Sequence, residues 1–297
     1  MAQPVLRSML SVPGIRERFI DKAKEVPADV ILLDLEDSVA MADKAKARGL
    51  VATVVPAFAK NGRLLYVRPN DLTSGLLEED LAAIVGPALD GILLPKTDDA
   101  ETLIQVDHYL TLLEKTKRLT AGAVKIIPLI ESTRAITNVE AICRASGRLV
   151  GAMLGAEDYA TSLGVTRTRE GAEIEYARAR MANAAMAAGL IPIDCPEPDF
   201  RDEANFERDL RHARTLGYRG KFCIHPTQVQ LANRAFSPAA AEVEWARRVV
   251  AAYQEGERQA LGAVALDGKM IDRPAYVRAL ELIEWQRHIE ARAAAPA

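Results

Sequence analysis

Residues 149–164 read LVGAMLGAEDYATSLG: an apolar run, two small residues, then adjacent carboxylates at Glu157 and Asp158. Such a run, bounded by small residues, suits a buried strand, and the acids close it. The pattern recurs in RSMLSVPG (7–14), VILLDLED (30–37), LLYVRPN (64–70), GILLPKT (91–97), VKIIPLIES (124–132), LIPIDCPEPD (190–199) and KFCIHP (221–226). Ala-rich segments with helical periodicity separate these runs, whose starts fall roughly 23 to 41 residues apart, the repeat of successive βα units. Most are continuously apolar rather than alternating, as parallel strands covered on both faces must be. Eight strands alternating with helices predict a (β/α)8 TIM barrel, which needs about 250 residues. A doubly wound open sheet is the competing arrangement, but no GxGxxG follows the first run.

Beyond His225 the pattern changes. Residues 238–259 read as one charged helix, with Glu242, Arg247, Arg248 and Glu255 outward and Val243, Val249 and Val250 inward. A loop, GAVALDGKMIDRP (262–274), leads to a last helix from Pro274 to Arg292, with proline in its tolerated first-turn position. The chain thus divides into a barrel over residues 1–236 and a C-terminal helical extension over 237–297.

Composition narrows the function. An apolar fraction of 49% supplies a large core, and a net charge of −3 offers no electrostatic attraction for nucleic acid or an anionic membrane. Aromatic residues, at 5%, are too sparse for base-stacking platforms. The three cysteines, Cys143, Cys195 and Cys223, have no zinc-site or disulfide spacing, which points to a reducing compartment. With neither a signal-peptide pattern nor a membrane-length apolar run, the sequence reads as a cytoplasmic protein.

The polar residues gather at the C-terminal ends of the runs, which in a barrel share the face that carries the active site. Glu131 ends one of the most apolar runs, where a carboxylate must be paired or bind metal; capping of the next helix is the plain structural alternative. Asp158 supplies a second carboxylate from the neighbouring run. Two oxygen ligands without cysteine or histidine nearby favour Mg²⁺. Glu157 serves equally well as a helix-capping residue. Arg68 carries a fork suited to a substrate carboxylate, or to a salt bridge with Glu36 or Asp37. Lys96 is a candidate Schiff-base lysine, although an ion pair is the commoner use. Of the four histidines only His225 stands at a strand end, as a candidate general base.

Seven motifs in order, RSMLSVPG, LLDLEDSV, VRPN, LPKT, IPLIES, GAEDYATSLG and GYRGKFCIHPTQV, resemble the citrate lyase β-subunit family, which includes malyl-CoA and citramalyl-CoA lyases. The similarity runs from about residue 7 to at least residue 280. It implies a Mg²⁺-dependent carbon–carbon lyase acting on a malyl-, citramalyl- or citryl-CoA type thioester to give acetyl-CoA and a 2-oxo acid. The family's metal ligands map onto Glu131 and Asp158, which with Arg68 also contact substrate. Its catalytic base, often given by a neighbouring subunit, maps onto Asp272 in GKMIDRP. Residues 237–297 would then act as a lid for a neighbour's site in a homo-oligomer, a trimer or a hexamer. A β-subunit of a multi-subunit citrate lyase, a thioesterase of the same family and a non-catalytic scaffold are the other roles the resemblance leaves open.

Overall fold

The structure, a computed structural model, describes residues 4–58 and 60–294, so the outermost residues of both expected segments lie outside it. The chain forms two compact units. One runs from Leu6 to Ala235, and the other is built mainly from Phe236 onward.

The first unit is a closed barrel of eight parallel strands in chain order. They are β1 (Ser8–Pro13), β2 (Val30–Asp34), β3 (Leu64–Arg68), β4 (Gly91–Leu94), β5 (Lys125–Ile130), β6 (Gly151–Leu154), β7 (Ile191–Asp194) and β8 (Gly220–Cys223). Seven fall inside one of the eight apolar runs and β8 starts one residue ahead of its run; the open-sheet alternative is excluded by the pairing of β8 with β1. Among the described residues nine α-helices connect or follow these strands within the unit. They are α1 (Glu17–Ala23), α2 (Lys44–Ala57), α3 (Leu77–Ile84), α4 (Ala100–Thr116), α5 (Thr133–Ile142), α6 (Ala156–Leu163), α7 (Glu175–Ala187), α8 (Glu203–Thr215) and α9 (Pro226–Ala235). The longest interval between runs, from β6 to β7, holds two helices, and the extra one, α6, begins with the Glu157–Asp158 pair.

Alternation explains why the runs are apolar throughout. Met9, Leu32, Tyr66, Leu93, Ile127, Leu129, Met153, Ile193 and Phe222 join in one buried cluster inside the barrel, while their neighbours along each strand are buried on the other face. Lys221 is the exception on β8. It is fully buried and held by Asp194 (2.5 Å) and Asp209, and Arg178 joins the same two carboxylates. Two cations and two anions balance there, as buried charge requires.

The second unit contains α10 (Ala240–Arg258), the antiparallel pair β9 (Val264–Leu266) and β10 (Lys269–Ile271), and α11 (Arg273–Ala293). Val249, Tyr253, Ile271 and Ala279 centre its core, with Tyr253 stacked on Tyr276 at 4.6 Å. The sequence reading expected only a loop over 262–274. A hairpin forms there because Asp267 and Gly268 both adopt positive φ, 48° and 75°, as a two-residue hairpin turn demands. Among the described residues no helix is long and apolar enough to cross a membrane, and the three cysteines are free and buried.

Barrel closure gives a direct test. A Cβ on Gly220 would lie 2.0 Å from the Leu6 carbonyl oxygen, a backbone atom that cannot swing aside. Gly220→Ala should therefore cost about 1–3 kcal/mol or more in urea unfolding; an unchanged midpoint would mean that β8 and β1 are not held this closely.

Candidate active site

The cluster starts from two strands in register. Asp34 ends β2 and pairs directly with Arg68 at the end of β3, so both side chains leave the same face of the sheet. Arg68 donates from Nε and Nη2 to the two Asp34 oxygens, each at 2.7 Å. Asp34 also accepts the Glu36 and Ser38 N–H groups, at 3.0 and 3.1 Å, which folds the LEDS turn over the strand end. Lys44 of α2 secures that turn by donating to the Leu35 and Glu36 carbonyls. Burial works against both charges of the pair. Their mutual contact more than offsets it, holding Asp34 below and Arg68 above their ordinary values.

The third edge of Arg68, Nη1, faces Asp37 at 3.2 Å and Glu36 at 3.1 Å. Both expected ion-pair partners are therefore present. Asp34 was not anticipated, and it occupies the bidentate fork. Glu36 is buried with no aligned hydrogen bond at either oxygen. Burial raises its pKa despite the pull of Arg68 and with a further push from Asp37. Its other cationic neighbour is Lys96 Nζ at 3.2 Å, which also reaches Asp71 at 3.4 Å. Burial opposes the Lys96 charge, yet these two acids hold its ammonium above the ordinary value. A lysine so protonated is no nucleophile, so the Schiff-base role is set aside.

Glu131 follows β5 and is 4% exposed. Its Oε1 accepts the Lys96 backbone N–H at 2.6 Å. Space for the rest of the carboxylate comes from Gly155, where a Cβ would approach Glu131 Cβ and Oε2 to 2.6 and 2.7 Å. Burial raises the Glu131 pKa well above the usual glutamate range; the Lys96 N–H counteracts it, whereas Glu36 and Asp158 add to it.

Asp158 lies three residues beyond Gly155 in the first turn of α6, a position that the helix dipole favours for an anion. It is on the helix rather than the strand end, and it is exposed where Glu131 is buried. Glu157 turns to Arg167 at 3.2 Å. Arg68, Glu131 and Asp158 thus line one cavity of about 390 Å³, along with Leu129, Met153 and Phe222 from the barrel core. Among the described residues neither Glu131 nor Asp158 has a cation within ion-pair distance. No three His, Cys, Asp or Glu side chains there form a metal cage. Two oxygen donors facing an open cavity fit magnesium, which takes one or two carboxylates and leaves its other positions to water or substrate.

The remaining candidates have local contacts of their own. His225 stacks on Phe200 at 4.6 Å, with Nδ1 2.9 Å from the Thr227 hydroxyl. Asp272 belongs to the second unit, where its side chain caps α11 by accepting the Ala275 N–H at 3.0 Å. Three contributors escaped the sequence reading: Asp34, the Lys96 backbone and Gly155. All three stand inside the quoted runs, but their function depends on register and backbone geometry between strands.

The HpcH/HpaI aldolase/citrate lyase family profile matches residues 7–226. Citrate lyase subunit beta from Haemophilus influenzae is 38% identical over 280 residues, covering 94% of this chain and 96% of that protein. An L-malyl-CoA/beta-methylmalyl-CoA lyase from Cereibacter sphaeroides is 35% identical over 286 residues, 90% of each chain. Among solved structures, protein CitE from Mycobacterium tuberculosis, in complex with magnesium, acetoacetate and coenzyme A, superposes with a TM-score of 0.74 at 30% identity. That match covers 96% of this chain and 98% of the other.

The charge on Glu131 has a measurable consequence. Its raised folded-state pKa means that the folded protein keeps this proton where the unfolded chain has lost it. Stability therefore falls as pH rises from the ordinary glutamate value towards the raised one. In chelator, Glu131→Gln should show a flatter decline than wild type in thermal melts as pH rises above the ordinary glutamate range. Identical slopes would contradict the buried, unneutralised carboxylate.

Proposed function

The chain belongs to the HpcH/HpaI aldolase/citrate lyase family, and from that premise we propose a magnesium-dependent lyase that cleaves a 3-hydroxy-dicarboxylic acyl-CoA thioester. The substrate is of the malyl-, citramalyl- or citryl-CoA type, and the products are acetyl-CoA and a 2-oxo acid. The observation that carries this reading is the pairing of Glu131 with Asp158 around one cavity without a cationic partner. Magnesium in the related CitE complex supports it.

Glu131 and Asp158 would hold the magnesium ion, which would supply Lewis acidity to the substrate hydroxyl. Asp272, given by a neighbouring subunit in a trimer or hexamer, takes the hydroxyl proton. The bond between the hydroxyl-bearing carbon and the thioester α-carbon then breaks, leaving the 2-oxo acid and the acetyl-CoA enolate. The α-carbon takes up a proton from solvent to complete acetyl-CoA, and Asp272 gives its proton back to solvent. Arg68, fixed as a cation by Asp34, stabilises the negative charge that develops beside it. The apolar lining from Leu129, Met153 and Phe222 lowers the local dielectric and strengthens each of these interactions. The three free cysteines suit the reducing cytoplasm.

A second reading rests on the 38% identity to citrate lyase subunit beta. There the chain is one component of a larger complex and receives its thioester from an acyl-carrier partner. Turnover of free citryl-CoA by the isolated chain would exclude strict dependence on such a partner.

A panel of malyl-, citramalyl- and citryl-CoA, assayed with Mg²⁺ for acetyl-CoA, oxo acid and free thiol, separates these outcomes. We expect acetyl-CoA and an oxo acid in equal amounts; free thiol with an intact hydroxy acid would identify a thioesterase, and inertness towards every thioester a scaffold. Glu131→Ala and Asp158→Ala should each lower turnover by at least about 100-fold, and either variant remaining fully active in excess chelator would refute the metal assignment. Mixing inactive Asp272→Ala with inactive Glu131→Ala under subunit exchange should restore activity; a mixture that stays inactive would oppose a shared site.

A further inference from the structure

Lys96 has a backbone unlike its neighbours in the site. Its φ is +48°, in the left-handed region that residues with a side chain seldom occupy. Neither glycine nor asparagine stands there to make that conformation easy, so its surroundings must hold it. On one side, buried Thr97 anchors the turn by donating its hydroxyl to the Leu94 carbonyl at 2.9 Å and its N–H to the Leu129 carbonyl at 3.4 Å. On the other, the Lys96 ammonium is tied to Glu36 and Asp71.

The left-handed turn aims the Lys96 N–H across from β4 to β5, where it donates to Glu131 Oε1 at 2.6 Å. The other oxygen, Oε2, lies in the space that Gly155 leaves by having no Cβ. One oxygen is therefore committed to the protein, and the other lies beside Gly155, which with Glu131 lines the cavity.

Resting on the assignment of Glu131 as a cation ligand, we propose that Lys96 is a positioning residue whose left-handed backbone N–H fixes Oε1 of Glu131 and leaves Oε2 for the metal. Glu36 and Asp71 take part by holding the lysine side chain, and through it the turn. The buried Glu36 thereby acquires a purpose its unaligned oxygens do not otherwise reveal. A ligand held by a neighbouring hydrogen bond is pre-oriented, and loss of such support typically weakens metal binding by about 10–100-fold.

The test is calorimetric titration of the full chain with Mn²⁺ as the probe ion, without substrate, for wild type, Lys96→Gly, Lys96→Ala, Lys96→Val and Glu131→Gln. Circular dichroism checks that each variant is folded. Glycine keeps the N–H and adopts positive φ freely, so Lys96→Gly should bind Mn²⁺ within about threefold of wild type. Valine, β-branched and strongly opposed to that region, should weaken binding by about 10–100-fold, with alanine between the two. If Lys96→Val does not fold, the order of glycine above alanine decides the matter. Wild-type affinity in Lys96→Val, or glycine falling as far as valine or alanine, would overturn the proposal while leaving the metal site in place. Undiminished binding in Glu131→Gln, or no binding by wild type, would instead remove the ligand assignment and this inference with it.

Discussion

A carboxylate buried at the end of an apolar strand and left without a counter-charge is the constraint around which this molecule is organised. Five carboxylates and one guanidinium line the cavity at the barrel mouth. Asp34 and Asp37 are answered by Arg68, and Glu157 by Arg167. Glu131 and Asp158 remain. Burying an ion without a partner is costly, and burial accordingly pushes the Glu131 carboxyl towards its neutral form. A divalent cation bound between Glu131 and Asp158, as proposed, would neutralise the remaining pair.

The barrel provides what such a site needs. Parallel strands in register bring Asp34 beside Arg68 and hold the guanidinium in one orientation. The connection after β6 inserts a short helix, whose first turn brings Asp158 to the cavity that Glu131 also lines. Gly155, at the junction, is small enough for Glu131 to occupy the space beside it. The core residues Leu129, Met153 and Phe222 close the cavity from below, so its floor is apolar and its rim charged. Rigid strands set the distances, and the loops at their ends provide the chemistry.

The fold was readable because a parallel barrel leaves a strong trace: apolar runs buried on both faces, separated by helical segments. The longest gap between runs corresponded to a real extra helix. Glu131 and Asp158 stood out because charge at the end of an apolar run requires an explanation. Asp34 did not, since its partner is chosen by pairing between strands 34 residues apart in sequence. The left-handed Lys96 carried no glycine or asparagine signal. The β9–β10 hairpin did carry one, the Asp267–Gly268 dipeptide, and its adoption of a turn follows from ordinary hairpin chemistry. Asp272 is different again. Its local contact is that of a helix cap, and only resemblance to related sequences suggests more.

The most direct measurement is anomalous scattering from crystals of the chain grown with manganese. The account requires a peak bonded to one oxygen of Glu131 and one of Asp158, with Glu131 Oε1 still receiving the Lys96 N–H. A peak at any other group of side chains, or an empty cavity at saturating manganese, would contradict it.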